Sequence, residues 1–287
     1  MPAIVLMVLN VFISYVVVFF GICLKIRNYT KADGDWFEYI MTAAQQVSTE
    51  EYINLVFIVY AVSGLIIFGL WYYLAFVKKN GNKIQVKESF KKLTTKPVAF
   101  IVGVVMFAPA LNVLCSILVS ILGTVFPSWM ESYVALTQSA GIDGNISIPM
   151  VIYLMVLAPV LEELVFRGLV LKYARQGVGF WTAIILQAIL FAGVHGNPLQ
   201  SIFTFVMGLL IGYLVLKSDT MIMGIIVHTA FNVSSLFVGN IIDSATKTPA
   251  IFGTMLFTSM VLVYLGFNLI SKNILVPVKE ESIGDDK

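Results

Sequence analysis

Eight apolar runs, at 3–24, 53–77, 98–126, 148–171, 180–195, 199–216, 221–239 and 250–270, divide this chain of 287 residues. About 20 apolar residues carry a helix across the hydrocarbon of a bilayer. The run at 180–195 is short and reads as a tilted or partly sunken helix; the others are ordinary spans. The expected fold is therefore all-α, a polytopic membrane protein with about eight transmembrane helices. Charged residues make up 12% of the chain, about half the share found in soluble domains. The formal charge of +2 is spread over loops and forms no basic stripe, so no nucleic acid is expected as a partner. Cys23 and Cys115 lie in apolar surroundings without ligand-like spacing, which argues against a disulfide framework or a cysteine zinc site. The first run is longer than a signal-peptide core and follows no basic segment, so it reads as a retained span.

Lysine and arginine set the orientation. The loop from Lys78 to Lys96 carries seven lysines against the single acid Glu88, and is expected to be cytoplasmic. Counting outward from it puts thirteen basic residues inside and four outside, with both termini inside. Lys25 and Arg27 are the discordant pair. Lys83, Lys87 and Lys91 repeat at helical spacing among Ile84, Val86, Phe90 and Leu93, which fits either an interfacial helix on anionic lipid or a solvated loop that only sets topology. The tail after Ser271 ends in acids and reads as disordered.

Three polar elements interrupt the apolar spans. The first is EELVFR, Glu162 to Arg167. Glu163 and Arg167 stand at i and i+4 and can pair on one helix face, leaving Glu162 about 100° away and available. Pro159 removes a backbone donor just upstream and is expected to kink the helix. The second is FAGVH, ending in His195 and followed by the turn residues Gly196, Asn197 and Pro198. The third is HTAFN, with His228 and Asn232 again at i and i+4. Each has a plain structural explanation taken alone: an intramembrane ion pair, an interfacial histidine, interhelical hydrogen bonds. At a helix centre each charge opposes insertion by ~2.5–3.5 kcal/mol. Yet every strongly ionisable group deep in the spans belongs to one of these three elements, and the first three spans and the last carry none. Paired carboxylates with two histidines and an amide equip a site for proton transfer and hydrolysis.

EELVFR, FAGVH and HTAFN, in that order on separate spans, resemble the EExxxR, FxxxH and HxxxN motifs of the CPBP (Abi) family of CAAX prenyl proteases and bacteriocin-processing enzymes. The resemblance covers about 148–240 and implies a four-helix catalytic core there. Residues 1–147 then form N-terminal spans with the basic loop, and 241–287 a last span and tail. It further implies an intramembrane endopeptidase in which Glu162 activates water and Glu163 and Arg167 support it. His228 and Asn232 would hold the oxyanion, and His195 would orient water or protonate the leaving amine. A zinc ion on Glu162, His195 and His228 stays open, although HExxH spacing is absent. Placing His195 and His228 in one site requires the short helix to stop inside the membrane, with Gly196 to Pro198 as a buried re-entrant turn. Substrates would be membrane-associated, prenylated or peptide-precursor chains, and the expected setting is a bacterial plasma membrane. Two rivals are a non-proteolytic relative acting in bacteriocin self-immunity or as a scaffold, and a proton-coupled transporter. The transporter lacks the expected internal repeat.

Overall fold

The computed structural model describes residues 1–27, 35–47, 50–79, 93–142, 146–245 and 248–275. The lysine-repeat helix proposed around Lys83 to Lys91 and the disorder proposed for the tail beyond 275 lie outside the described residues. Ten helices and no strand occur among the described residues: α1 (Pro2–Ile26), α2 (Trp36–Val47), α3 (Glu50–Tyr72, continued as π-helix over Tyr73–Lys78), α4 (Pro97–Val125), α5 (Pro127–Ser139), α6 (Ile148–Arg175), α7 (Phe180–Gly193), α8 (Pro198–Ser218), α9 (Met221–Ala245) and α10 (Pro249–Lys272). Seven of them are long and apolar enough to cross a membrane, and α7 is a shorter apolar helix. The chain is an all-α, multi-pass membrane protein. At 1.5 Å per residue α7 is only about 21 Å long, short of the ~30 Å of hydrocarbon.

α6 and α9 form the centre. α6 is packed by α1, α3, α7 and α9, while α9 also meets α4, α8 and α10. α4 and α10 cross closely because both lack a side chain at the contact. A Cβ on Gly266 would stand 2.7 Å from the Gly103 carbonyl oxygen and 2.7 Å from the Phe107 nitrogen. Small residues at such crossings are what apolar helices need to gain dispersion contact in lipid.

α3 runs parallel to α6, and paired contacts give the register. The Ser147 hydroxyl donates to Asn54 Oδ1 at 3.0 Å, the Phe57 and Tyr153 rings lie 4.7 Å apart, and Gly64 leaves room for Leu161. Farther along, Lys172 Nζ donates to the Tyr72 hydroxyl at 2.7 Å, and Trp71 Nε1 donates to the Tyr173 hydroxyl at 3.0 Å. At the same end of the molecule Arg175 caps the Phe180 ring and Lys217 the Tyr213 ring. Aromatic and basic side chains mixed in this way mark a membrane–water boundary, and this boundary is the one beside the lysine-rich loop.

Two helices, α2 and α5, have no counterpart among the sequence expectations. Both lie between spans at the opposite boundary. α2 turns Ala43 and Val47 inward and leaves Trp36, Phe37 and Met41 exposed, whereas no residue of α5 is buried. The two are too short and too polar in part to register as apolar runs.

Candidate active site

α6 does not simply kink at Pro159. It alternates, with α-helix over Ile148–Ile152, π-helix over Tyr153–Leu157, α-helix over Ala158–Glu163, π-helix over Leu164–Val170 and α-helix over Leu171–Arg175. π-Segments are rare and cluster at functional sites. Their cause here is legible in the backbone bonds. The Ala158 N–H reaches back five residues to the Tyr153 carbonyl, so Leu154 loses its α-helical donor. The π-register donor for Leu154 would be residue 159, a proline with no N–H. The orphaned Leu154 carbonyl is satisfied from another helix: Asn232 Nδ2 of α9 donates to it at 2.8 Å. Pro159 and Asn232, far apart in sequence, thus form one device that ties α9 to the turn preceding the two glutamates.

The expected pair is present. Arg167 Nη1 donates to Glu163 Oε1 at 2.8 Å, with both side chains fully buried. The same oxygen accepts from His228 Nδ1 at 2.9 Å. A carboxylate paired with arginine is an acceptor only, which places the His228 proton on Nδ1 and leaves Nε2 as the free nitrogen. That nitrogen faces Glu162 Oε2 at 3.7 Å, too long for a direct hydrogen bond and suited to a shared water. Glu162 keeps 23% of its side chain exposed, against none for Glu163. The neighbouring carboxylates therefore differ in kind, one locked in an ion pair and one open.

The Phe191 ring joins the three motifs. The Arg167 guanidinium lies 4.5 Å from its centroid, and the His195 and His228 rings meet it edge-on at 5.1 and 5.9 Å. His195 Nδ1 bonds the Phe191 carbonyl at 2.8 Å. Both histidines reach the Phe191 ring, and α7 ends just before His195. The helix stops at Gly193, and Gly196 turns the chain at φ +67°, a left-handed geometry that favours glycine. Asn197 then caps α8 through Oδ1, which accepts from the Leu199 and Gln200 N–H groups, and its Nδ2 donates to the Ser132 hydroxyl of α5 at 3.2 Å. Asn197 is buried, but Gly193, Gly196 and Pro198 are exposed, so the turn is only partly enclosed.

All six side chains singled out from sequence, Glu162, Glu163, Arg167, His195, His228 and Asn232, come together around this cluster. Their partners bear on the expected oxyanion pair. His228 faces carboxylates through both ring nitrogens, and one of the two Asn232 amide hydrogens is committed to Leu154. Among the described residues, no group of three or more His, Cys, Asp or Glu side chains is placed to hold a metal ion.

Several contributors escaped the sequence reading. Gly224 sits one turn before His228 on the same face of α9, and a Cβ there would collide with Glu163 Oε2. Asn112 of α4 donates to the Phe231 carbonyl at 3.1 Å and anchors α9 beside Asn232. Gln187, fully buried on α7, donates to the Ile184 and Gly208 carbonyls. A lone Asn or Gln in an apolar run and a glycine four residues ahead of a histidine are the only signals the sequence offers for them.

Residues 144–234, spanning α6 to most of α9, match the family model described as Type II CAAX prenyl endopeptidase Rce1-like. The match covers 91 of the 287 residues, the same region that carries the three motifs, and supports their likeness to CAAX-type proteases there. No curated protein and no solved structure matches the chain.

Proposed function

We propose that this chain, through its Rce1-like domain, is an intramembrane endopeptidase that hydrolyses a peptide bond in prenylated or other membrane-associated peptide substrates. The observation that carries the reading is the division between the two glutamates: Glu163 is sealed against Arg167 and His228, and Glu162 stays partly open, 3.7 Å from His228 Nε2. Glu162 takes a proton from water held between its carboxylate and His228. The hydroxide adds to the scissile carbonyl, Asn232 offers its remaining amide hydrogen to the oxyanion, and the C–N bond breaks as a proton passes to the amine. His195, pinned through Nδ1 to Phe191, presents its other nitrogen for that transfer. Glu163 and Arg167 hold the His228 ring and tautomer, as second carboxylates do for catalytic imidazoles. Water activation by Glu162 needs no resident zinc in this reading, although His228 Nε2, with Nδ1 held by Glu163, and Glu162 would be among the ligands of any metal bound there. The basic loop from Lys78 to Lys96 faces the cytoplasm and anionic lipid of a bacterial plasma membrane.

The test is cleavage of a farnesylated CAAX peptide by the purified full chain, wild type beside Glu162→Gln, with and without a chelator. Cleavage by the wild type that is lost in Glu162→Gln and indifferent to chelator is the expected result. Retained cleavage by Glu162→Gln refutes the base assignment, and loss with chelator that zinc restores refutes the metal-free mechanism. Wild-type protein that cleaves nothing across a broad peptide library refutes the protease reading in favour of an immunity or scaffold role.

A further inference from the structure

The ends of α3 and α6 meet at the boundary beside the lysine-rich loop. Lys172 stands there, ten residues beyond Glu162 on α6, about 15 Å along a helix and outside the catalytic cluster. It does not extend freely into water. Its Nζ donates to the Tyr72 hydroxyl at 2.7 Å and lies 5.5 Å from the centre of the Phe76 ring. Tyr173, the next residue, sets its ring 5.0 Å from the same Phe76 ring, and its hydroxyl accepts from Trp71 Nε1 at 3.0 Å. The Tyr72 ring is 5.7 Å from Phe76. Lys172, Tyr72 and Tyr173 are thus fixed around one phenylalanine.

The direction of the hydrogen bonds decides what this cluster can take. An ammonium group and an indole nitrogen only donate, whereas a phenol accepts through its oxygen and holds one proton to give. Both hydroxyls are used as acceptors, and among the described residues neither passes its own proton on. Two ammonium hydrogens of Lys172 likewise meet no acceptor among them. No acid stands on either helix end, where 71–79 reads WYYLAFVKK and 171–178 reads LKYARQGV. Lys78, Lys79 and Arg175 add positive charge around the cluster instead. Water satisfies a single donor, but several donors within a positive field favour an anion. The spans end at this level, so the anions at hand are the phosphates of the adjoining leaflet, which basic side chains beside a membrane attract.

We propose that Lys172 and the Tyr72 hydroxyl, with Tyr173 beside them, form a binding site for the phosphate of one anionic phospholipid at the junction of α3 and α6. The site is separate from the lysine repeat at 83–91, being built on two helix ends. The bound headgroup bridges α3, outside the matched region 144–234, to the first helix within it. Neither Glu162 nor His228 takes part, so the site stands whether or not the chain cleaves peptides.

The experiment is native mass spectrometry of the purified full chain in uncharged detergent, titrated with phosphatidylglycerol and, separately, with phosphatidylcholine. Wild type is compared with Lys172→Gln, Tyr72→Phe and Lys272→Gln, the last an exposed lysine at the end of α10. Wild type is expected to bind one phosphatidylglycerol about fivefold more tightly than phosphatidylcholine, or better. Lys172→Gln is expected to lose about fivefold, the share of one basic residue at an anionic surface. Tyr72→Phe is expected to lose about threefold, toward the low end for one hydrogen bond, and Lys272→Gln nothing. Equal binding of the two lipids by wild type overturns the proposal, as does wild-type affinity in Lys172→Gln. Equal losses in Lys172→Gln and Lys272→Gln mean a diffuse surface charge and overturn the site. Displacement of the lipid by inorganic phosphate assigns the donors to a free anion. Displacement by a CAAX peptide with a free carboxylate, but not by its amide, assigns them to substrate; either result overturns the lipid assignment. Should Lys172→Gln fail to fold, Tyr72→Phe keeps the charge, and wild-type phosphatidylglycerol affinity in that variant overturns the proposal.

Discussion

Gly224→Ala inserts one methyl group where α9 presses on the buried ion pair. The new Cβ would collide with Glu163 Oε2 and stand 3.0 Å from both Glu163 Cδ and Val215 Cγ2. Overpacking of that kind costs about 1–3 kcal/mol. The Glu163 carboxylate is the nearest group and must yield first, and any retreat stretches its bonds to Arg167 at 2.8 Å and His228 at 2.9 Å. Losing one partner of a buried pair costs about 3–5 kcal/mol. One motion produces both penalties, so they overlap, and a total near 3 kcal/mol satisfies both ranges. Thermal or denaturant unfolding in detergent reads that loss directly. Activity should fall as well, because His228 loses the bond that fixes its tautomer. The decisive variant is Gly224→Ala combined with Glu163→Asp, which withdraws the carboxylate by one methylene. The two losses should overlap, giving a double variant about 1–2 kcal/mol better than their sum. Strict additivity, or a Gly224→Ala protein as stable and active as wild type, would refute the claim that this glycine exists to seat Glu163.

Two further changes probe other parts of the frame. Pro159→Ala restores a backbone N–H that competes with Asn232 for the Leu154 carbonyl, so kcat should drop while unfolding resistance holds or rises. A variant with wild-type kcat would show that the proline does not govern Asn232. Gly266→Ala pushes α10 off α4 at a backbone-to-backbone contact and should cost about 1–3 kcal/mol in unfolding measurements, with the kcat of folded protein unchanged; an unaltered midpoint would contradict the close crossing.

The parts of the site that were legible in sequence are those encoded by local spacing. Glu163 and Arg167 pair because i and i+4 share a helix face, and Glu162 is free because its neighbour is not. The motif order located α6, α7 and α9, and the turn residues after His195 marked the end of α7. What stayed hidden depends on partners distant in the chain. Pro159 predicted a kink, but a π-register bonded by Asn232 arises only once α9 is alongside. α2 and α5 mix polar and apolar residues over little more than three turns, so hydropathy passes over them.

The pairing of Arg167 with Glu163 inside a single helix also bears on how the chain enters the membrane. Both charges belong to α6, so they can neutralise each other as soon as that helix forms, before α7, α8 or α9 has been synthesised. Each bare charge opposes insertion by about 2.5–3.5 kcal/mol at mid-bilayer, and a locally closed pair reduces that burden at the moment of translocon exit. Glu162 has no such companion on its own helix. It must wait for His228, which arrives after α7 and α8. During that interval α3, already inserted and parallel to α6, is the wall available to shelter it. The order of synthesis thus makes the N-terminal spans an assembly platform for the charged helix, and a protein cut back to α6–α9 should insert α6 less efficiently than the full chain does.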